Sequence, residues 1–145
     1  MARVIAVTNQ KGGVGKTTTS INVAYFLSKM GKRTLIIDFD PQGNATSGLG
    51  IDKQELGATM TEVIMRQTRL AKVVLPTEYK DLYLAPSTSH LANTEVELAQ
   101  ADGRFARLRE ALNGVIDYDY IIIDSPPSLS LLTVNGLVAA DYVLL

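Results

Sequence analysis

The 145-residue sequence contains no cysteine, no tryptophan and one histidine, and only 6% of its residues are aromatic. Without cysteine the chain can form no disulfide, no thiolate metal site and no iron–sulfur cluster of its own. No apolar run approaches the roughly 20 residues that a membrane-spanning helix requires. The formal net charge of −1 gives no overall attraction for nucleic acid or an anionic membrane. Any DNA binding therefore requires a local basic patch or residues outside this chain.

The overall amino-acid composition is typical of a folded domain. Hydrophobic residues make up 46% of the chain and charged residues 20%. A single domain usually contains about 100–200 residues, so we treat residues 1–145 as one domain. The first three residues are followed at once by Val4–Val7, which lacks the longer apolar core and cleavage site of a signal peptide.

Short β-branched segments alternate along the chain with segments of helical spacing. The predicted strands are Val4–Val7, Thr34–Ile37, Val73–Leu75, Leu82–Leu84, Tyr120–Ile123 and Tyr142–Leu145. The predicted helices lie around Ile21–Met30, Met60–Arg69, Leu91–Gln100 and Phe105–Leu112. Apolar strands that alternate with helices indicate a mostly parallel sheet covered on both faces. The sequence therefore predicts a three-layer α/β fold.

The last segment, Tyr142–Leu145, has the pattern of a buried strand and is followed by no polar tail. Domain termini usually lie at the surface rather than inside the core. We therefore expect the C-terminal part of the domain to be missing from this chain. We also expect this strand to leave an edge or a face uncovered.

A glycine-rich turn follows the first predicted strand. Residues 8–18 read Thr-Asn-Gln-Lys-Gly-Gly-Val-Gly-Lys-Thr-Thr, and a helical pattern follows them. Backbone N–H groups of such a turn, at the positive end of a helix, favour an anion. The strand–turn–helix context predicts a phosphate-binding loop of a P-loop NTPase fold. The predicted nucleotide-binding residues are Lys11, Gly12, Gly13, Val14, Gly15, Lys16, Thr17 and Thr18.

Within this loop, two side chains have distinct predicted roles. The ammonium group of Lys16 is expected to reach the β- and γ-phosphates, and the Thr17 hydroxyl to bind Mg²⁺. The hydroxyl of Thr18 is placed to donate to the α-phosphate. These assignments predict ATP and Mg²⁺ as ligands.

Acidic residues follow two of the predicted strands. Asp124 comes directly after Tyr120–Ile123, and Asp38 and Asp40 follow Thr34–Ile37. The carboxyl ends of the strands form the ligand-binding crevice in open α/β sheets. Mg²⁺ keeps several waters and takes few protein ligands, so one or two such carboxylates suffice. We expect these residues to form a negative pocket beside the phosphates.

Three segments together resemble the ParA/Soj branch of the deviant Walker A partitioning ATPases. They are Thr8–Thr18, Asp38–Asn44 and Asp124–Ser128, in the family's order and at similar spacing. The standard loop pattern fails at Gln10, and Lys11 stands where the family carries an additional lysine. The resemblance covers all 145 residues; one departure is Ser125, where relatives often carry cysteine.

The resemblance implies a Mg·ATP-dependent ATPase of chromosome or plasmid segregation. By the family's pattern, Asp124 and Asp38 act on Mg²⁺, Asp124 through water and Asp38 less directly. Asp40 positions the attacking water, and the catalytic residues are Lys11, Lys16 and Asp40. Lys11 contacts the partner subunit's phosphates in an ATP-dependent homodimer. The dimer then binds DNA non-specifically, through residues outside this chain, and a ParB-type protein stimulates hydrolysis.

The same resemblance implies a cytoplasmic, nucleoid-associated protein without membrane contact, and it leaves alternatives open. One is a MinD-like membrane-surface ATPase, although Pro41–Asn44 favours the partition branch. Another is an ATP-gated assembly switch with little hydrolysis. Metabolic ligases of related fold are disfavoured because they lack the additional lysine.

Two further features receive structural interpretations. His90 is interpreted as a loop residue that precedes a helix. Arg104, Arg107 and Arg109 are interpreted as the solvated face of a short helix rather than a DNA contact, since Glu110 interrupts the basic patch.

Overall fold

The structure, a computed structural model, describes residues 2–8 and 14–145, with Val14 described by its backbone alone. Within these residues six strands form one sheet: β1 (Arg3–Val7), β2 (Thr34–Asp38), β3 (Leu75–Pro76), β4 (Leu82–Ala85), β5 (Tyr120–Asp124) and β6 (Tyr142–Leu144). Their order across the sheet is β3-β4-β2-β5-β1-β6. All neighbouring pairs are parallel except β3 with β4. The prediction of a mostly parallel sheet is confirmed.

The helices cover both faces of this sheet. They are α1 (Val14–Lys29), α2 (Asn44–Gly48), α3 (Met60–Ile64), α4 (His90–Leu98), α5 (Arg107–Leu112) and α6 (Leu131–Ala139), with two single 3₁₀ turns at Lys53–Glu55 and Leu70–Lys72. Side chains of α1 and α2 pack with Ile36 and Ile122 on one face. Side chains of α3 to α6 pack with Ile37 and Ile123 on the other face. The result is the three-layer α/β fold that the sequence predicts.

The two apolar clusters, one on each face of the sheet, follow from the alternation of side chains along the central strands. Successive residues of a strand point to opposite faces of the sheet. In β2, Leu35 and Ile37 therefore join one cluster and Ile36 the other, and every residue of β2 is buried. Because both faces of the strand are covered, it needs a continuous apolar run rather than an alternating one.

The second predicted helix, Met60–Arg69, is wrong in length. Helix α3 begins at a capping box in which Thr59 and Glu62 exchange hydrogen bonds, and it ends at Ile64. Arg66 adopts a left-handed backbone conformation with φ of 61°, which an α-helix cannot continue through. The predicted strand Val73–Leu75 also begins too early, because Val73 closes the 3₁₀ turn that precedes β3.

Arg107 does not lie on a solvated face as predicted. It is 7% exposed, and its guanidinium donates to the carbonyls of Ile64 at 2.8 Å and of Asp102 at 2.7 and 2.9 Å. Because Ile64 is the last residue of α3, this side chain satisfies a carbonyl that the helix end leaves free. His90, predicted as a loop residue, is instead the first residue of α4.

Strand β6 forms one edge of the sheet and is poorly covered. Among the strands of the described residues it pairs with β1 alone. Its residues Tyr142, Val143 and Leu144 are 57%, 49% and 38% exposed. An apolar edge strand with free N–H and C=O groups is a template for pairing with another chain.

We expect this edge to cause self-association. Val143→Lys places a charge on the exposed strand and should keep the chain monomeric at concentrations where the unmodified chain forms larger species. Light scattering against concentration measures the mass of both. Ile116→Lys, at a 73% exposed apolar residue away from the sheet edge, is the matched control and should associate like the unmodified chain. A chain that is monomeric throughout would contradict the prediction.

Candidate nucleotide site at the carboxyl edge of the sheet

The central strands β2, β5 and β1 end side by side at the carboxyl edge of the sheet. Asp124 at the end of β5 is in register with Val7 of β1 and with Asp38 of β2. Helix α1 begins at Val14, seven residues after β1 ends, so its first turn lies at this same edge. The parallel arrangement thus brings Lys16 and Thr17 to Asp124, with Asp40 near Lys16 and Asp38 in register beside Asp124.

Lys16 is the cation at the centre of this edge. Its side chain is 1% exposed, and its ammonium group donates a hydrogen bond to Asp124. It also lies 4.0 Å from a carboxylate oxygen of Asp40. A buried charge is tolerated only when it is paired, and Lys16 is paired with two carboxylates.

Asp124 is fully buried and accepts hydrogen bonds from three side chains of α1. Besides Lys16, these are the hydroxyls of Thr17 at 3.0 Å and of Ser20 at 2.9 Å. Ser20 was not among the predicted site residues. Its position four residues after Lys16 puts it on the same face of a helix, which is the signal that could have found it.

Asp38 is held by donors from the backbone and from Thr46. One oxygen accepts from the Thr46 amide at 2.8 Å and from the Thr46 hydroxyl at 2.6 Å, and the other from the Asp40 amide at 3.2 Å. Burial raises the pKa of Asp38 from 3.8 to about 6; the donors of Thr46 oppose this rise and the charge of Asp124 adds to it. Desolvation is therefore the main cause of the raised pKa of Asp38.

Asp40 begins a turn at residues 40–43. Its carboxylate accepts from the Gln42 amide at 2.9 Å, and its carbonyl accepts from the Gly43 amide at 2.8 Å. Gly43 has φ of 64°, a conformation that residues with a side chain rarely adopt. Burial raises the pKa of Asp40, while the Gln42 N–H and Lys16 lower it and Asp124 raises it.

The remaining predicted loop residues are placed only in part. Lys11, Gly12 and Gly13 lie outside the described residues, and Val14 is described as the first residue of α1 by its backbone alone. Gly15 and Thr18 lie in the first turns of α1 and are exposed. Their predicted contacts with phosphate stay predictions.

The chemistry of these residues fits Mg²⁺ and a polyphosphate. Within residues 2–8 and 14–145, no group of three or more His, Cys, Asp or Glu side chains forms an all-protein metal cage. The Thr17 hydroxyl and the Asp124 carboxylate are instead adjacent hard-oxygen groups, which suits a cation that keeps most of its waters. Lys16 at the start of a 16-residue helix suits the phosphate charge.

Comparison with known proteins agrees with this geometry. Residues 2–145 match a family model described as AAA domain, and the chain belongs to that family. It corresponds to the N-terminal portion of the ParA/Soj proteins. It is 50% identical over 146 residues to the chromosome partitioning protein ParA of Myxococcus xanthus, covering 100% of this chain and 52% of that protein.

Two further relatives complete the comparison. The sporulation initiation inhibitor protein Soj of Bacillus subtilis is 48% identical, covering 100% of this chain and 58% of Soj. Cobyrinic acid a,c-diamide synthase of Mycobacterium smegmatis, solved with an ATP analogue and magnesium, has a TM-score of 0.94 and 41% identity. That alignment covers 99% of this chain and 59% of the synthase. The chain thus spans about half the length of the curated relatives it matches.

The raised pKa of Asp38 predicts a pH dependence of stability. Between its ordinary value of 3.8 and about 6, the folded state binds a proton that the unfolded state has lost. The stability contributed by Asp38 is therefore present below about pH 4 and is lost as pH rises to about 6, by about 3 kcal/mol at most.

Asp38→Asn should remove this dependence. Urea unfolding in EDTA at several pH values between 4 and 7 measures the free energy of unfolding of both proteins. The variant's free energy minus that of the unmodified chain should rise with pH. The exposed Asp52→Asn is the control and should leave the pH profile unchanged. Parallel profiles for Asp38→Asn and the unmodified chain would contradict the assignment.

Proposed function

We propose that this chain is the Mg·ATP-binding half of a partitioning ATPase. The observation that carries the proposal is the buried Lys16 ammonium, which lies between Asp124 and Asp40 with the Thr17 hydroxyl beside it. Relatives named ParA and Soj support the partitioning role. The ATP analogue and magnesium in a 41% identical structure support the ligands.

Different residues of the site are assigned to Mg²⁺ and to the phosphates. We assign the Thr17 hydroxyl to Mg²⁺, with the carboxylates of Asp124 and Asp38 acting on the same ion, and Lys16 to the β- and γ-phosphates. Lys11, Gly12, Gly13, Val14, Gly15 and Thr18 are assigned to the rest of the phosphate cradle. When bound, Mg²⁺ neutralises phosphate charge. The hydroxyl of Ser20 keeps Asp124 oriented toward this region.

Asp40 is the residue we assign to the attacking water. One of its carboxylate oxygens is held by the Gln42 amide, and the other faces Lys16 at 4.0 Å. Its orientation is therefore fixed on one side by the backbone and on the other by the cation that serves the phosphates. Phosphoryl transfer depends mainly on positioning and on charge stabilisation, which is what this arrangement supplies.

We propose the wider cycle from the resemblance of the sequence motifs to the ParA/Soj family. Lys11 of one subunit contacts the nucleotide of its partner, so ATP binding drives a homodimer. The dimer associates with DNA on the nucleoid, in the cytoplasm, and a ParB-type protein stimulates hydrolysis. The chain's net charge of −1 offers no general DNA affinity, so we assign DNA contacts to residues outside this chain or to a local patch.

Asp40→Ala should separate turnover from binding. Loss of the water-positioning carboxylate should lower phosphate release at least about 100-fold while ATP affinity stays within about threefold. Lys16→Ala should instead remove ATP binding, since no other described residue supplies that ammonium group. Isothermal titration with Mg·ATP and a phosphate-release assay measure the two properties. The exposed Asp52→Ala is the control for removal of a carboxylate. Normal turnover by Asp40→Ala would show that Asp40 is only a turn residue.

Lys11→Ala should separate binding from assembly. Because Lys16 already serves the phosphates within the subunit, we expect near-normal ATP affinity together with loss of the ATP-dependent dimer. Size-exclusion chromatography with and without ATP measures the dimer. Lys32→Ala, at an exposed lysine beyond the end of α1, should dimerise normally. A dimer that survives Lys11→Ala would refute the role across the interface.

Three alternatives have distinguishable outcomes. An assembly switch would form the ATP dimer without phosphate release, even with DNA and a ParB-type protein.

A MinD-like ATPase would bind anionic vesicles in the presence of ATP. Among the described residues, no helix is long and apolar enough to cross a membrane. An amide synthase, suggested by the name of the M. smegmatis structure, would turn over ATP only with cobyrinic acid and an amide donor.

A further inference from the structure

Both backbone groups of Asp40 are held by side chains. Its N–H donates to Asp38 at 3.2 Å, and its carbonyl accepts the hydroxyl of Ser87 at 2.7 Å. The two peptide planes that flank Asp40 are therefore fixed independently of its carboxylate. The Gly43 amide donates to the same carbonyl at 2.8 Å. Because the direction of a side chain follows from the backbone that carries it, these bonds together aim the Asp40 carboxylate.

Ser87 is linked to Asp38 through Thr46. The Ser87 amide donates to the Thr46 hydroxyl at 3.2 Å, and that hydroxyl donates to Asp38 at 2.6 Å. The Thr46 amide adds a bond of 2.8 Å to the same carboxylate oxygen. Asp38, Asp40, Thr46 and Ser87 thus form a closed ring of hydrogen bonds, which we call the Asp40 ring.

The Asp40 ring joins three separate parts of the fold. Asp38 ends β2, Thr46 lies in α2, and Ser87 follows β4, which pairs with β2 so that Ile37 is opposite Ala85. Asp38, Thr46 and Ser87 have no solvent exposure, and Asp40 is 3% exposed. In such a low-dielectric setting each bond is stronger than in water, and an unmet donor is costly.

Ser87 and Thr46 differ in how near they stand to the residues assigned to the nucleotide. The Ser87 hydroxyl bonds to the Asp40 carbonyl, whereas Lys16, Thr17 and Ser20 bond to Asp124. The Thr46 hydroxyl bonds to Asp38, which is assigned to Mg²⁺. A change at Ser87 should therefore reach the reaction through the position of Asp40, without direct loss of a phosphate or Mg²⁺ contact, whereas a change at Thr46 also releases Asp38.

We infer that Ser87 and Thr46 are positioning residues that hold Asp40 in the orientation needed for hydrolysis. The inference rests on the proposed function, in which Asp40 orients the attacking water. For Ser87 it predicts an effect on kcat with little effect on KM, because the Ser87 hydroxyl bonds to the Asp40 carbonyl rather than to a residue assigned to phosphate or Mg²⁺. A purely structural role for the ring predicts a lower melting temperature and an unchanged kcat in the protein that remains folded.

The test measures phosphate release against ATP concentration for Ser87→Ala in the purified protein. We expect kcat to fall at least about tenfold with KM within about threefold, since a small misplacement of a catalytic group can cost up to about 100-fold. Combining Ser87→Ala with Asp40→Ala should give no further loss beyond Asp40→Ala alone. Ser28→Ala is the matched control: it removes another buried hydroxyl that donates to a backbone carbonyl at 2.7 Å, within α1 and away from the site.

A second pair of variants covers the case in which Ser87→Ala does not fold. Thr46→Val removes the hydroxyl and keeps the shape, whereas Thr46→Ser keeps the hydroxyl and removes the methyl group. The valine variant should lose kcat as Ser87→Ala does, and the serine variant should recover most of it. Melting temperatures show that each variant is folded during the assay.

The outcomes separate this inference from the proposed function. If Asp40→Ala stops turnover but Ser87→Ala or Thr46→Val behaves like its control, the positioning role is wrong and the proposed function stands. A rise in KM at unchanged kcat would also overturn the positioning role. If Asp40→Ala turns over normally, the proposed function itself fails and the inference fails with it.

Discussion

The structure depends on the burial of one cation among three carboxylates at the edge of a parallel sheet. Lys16 pairs with Asp124 and lies near Asp40, while Asp38 stands in register beside Asp124. Buried charges of this kind are costly unless their partners are in place. The ends of β2 and β5 and the first turn of α1 must therefore align, and the shared charges couple these three elements.

Among the described residues this edge holds Lys16 with three aspartates, and neutral donors surround the carboxylates. Lys16 cannot compensate all three aspartates, and burial raises the pKa of Asp38 to about 6. Thr46, Thr17 and Ser20 supply hydroxyl donors to the carboxylates at 2.6–3.0 Å. Short helix α2 and the segment after β4 bring Thr46 and Ser87 to the same place. A site that holds surplus carboxylates in this way is suited to a divalent cation and to the phosphates it accompanies.

Family membership and site geometry lead to the same proposal by independent routes. The sequence identity of 48–50% to Soj and ParA relates the chain to partitioning proteins. The arrangement of Lys16, Thr17 and Asp124 fits Mg·ATP without reference to those names. Because the chain spans only about half of these relatives, DNA association and the ParB-type partner remain proposals. The sheet of the described residues leaves apolar surface uncovered at the edge strand β6.

The sequence by itself determined the features that local pattern encodes: the apolar strands β1, β2, β4 and β5, and the aspartates that end β2 and β5. Only the tertiary structure decided what depends on distant partners. The Ser87 hydroxyl donates to the carbonyl of Asp40, 47 residues earlier in the sequence. The Arg107 guanidinium donates to the carbonyl of Ile64 in α3, 43 residues earlier. Helix α3 ends at Ile64 because the backbone of Arg66 adopts a left-handed conformation. The apolar spacing of residues 60–69 did not predict this end. A hydroxyl or guanidinium has many possible partners, and the fold alone selects among them.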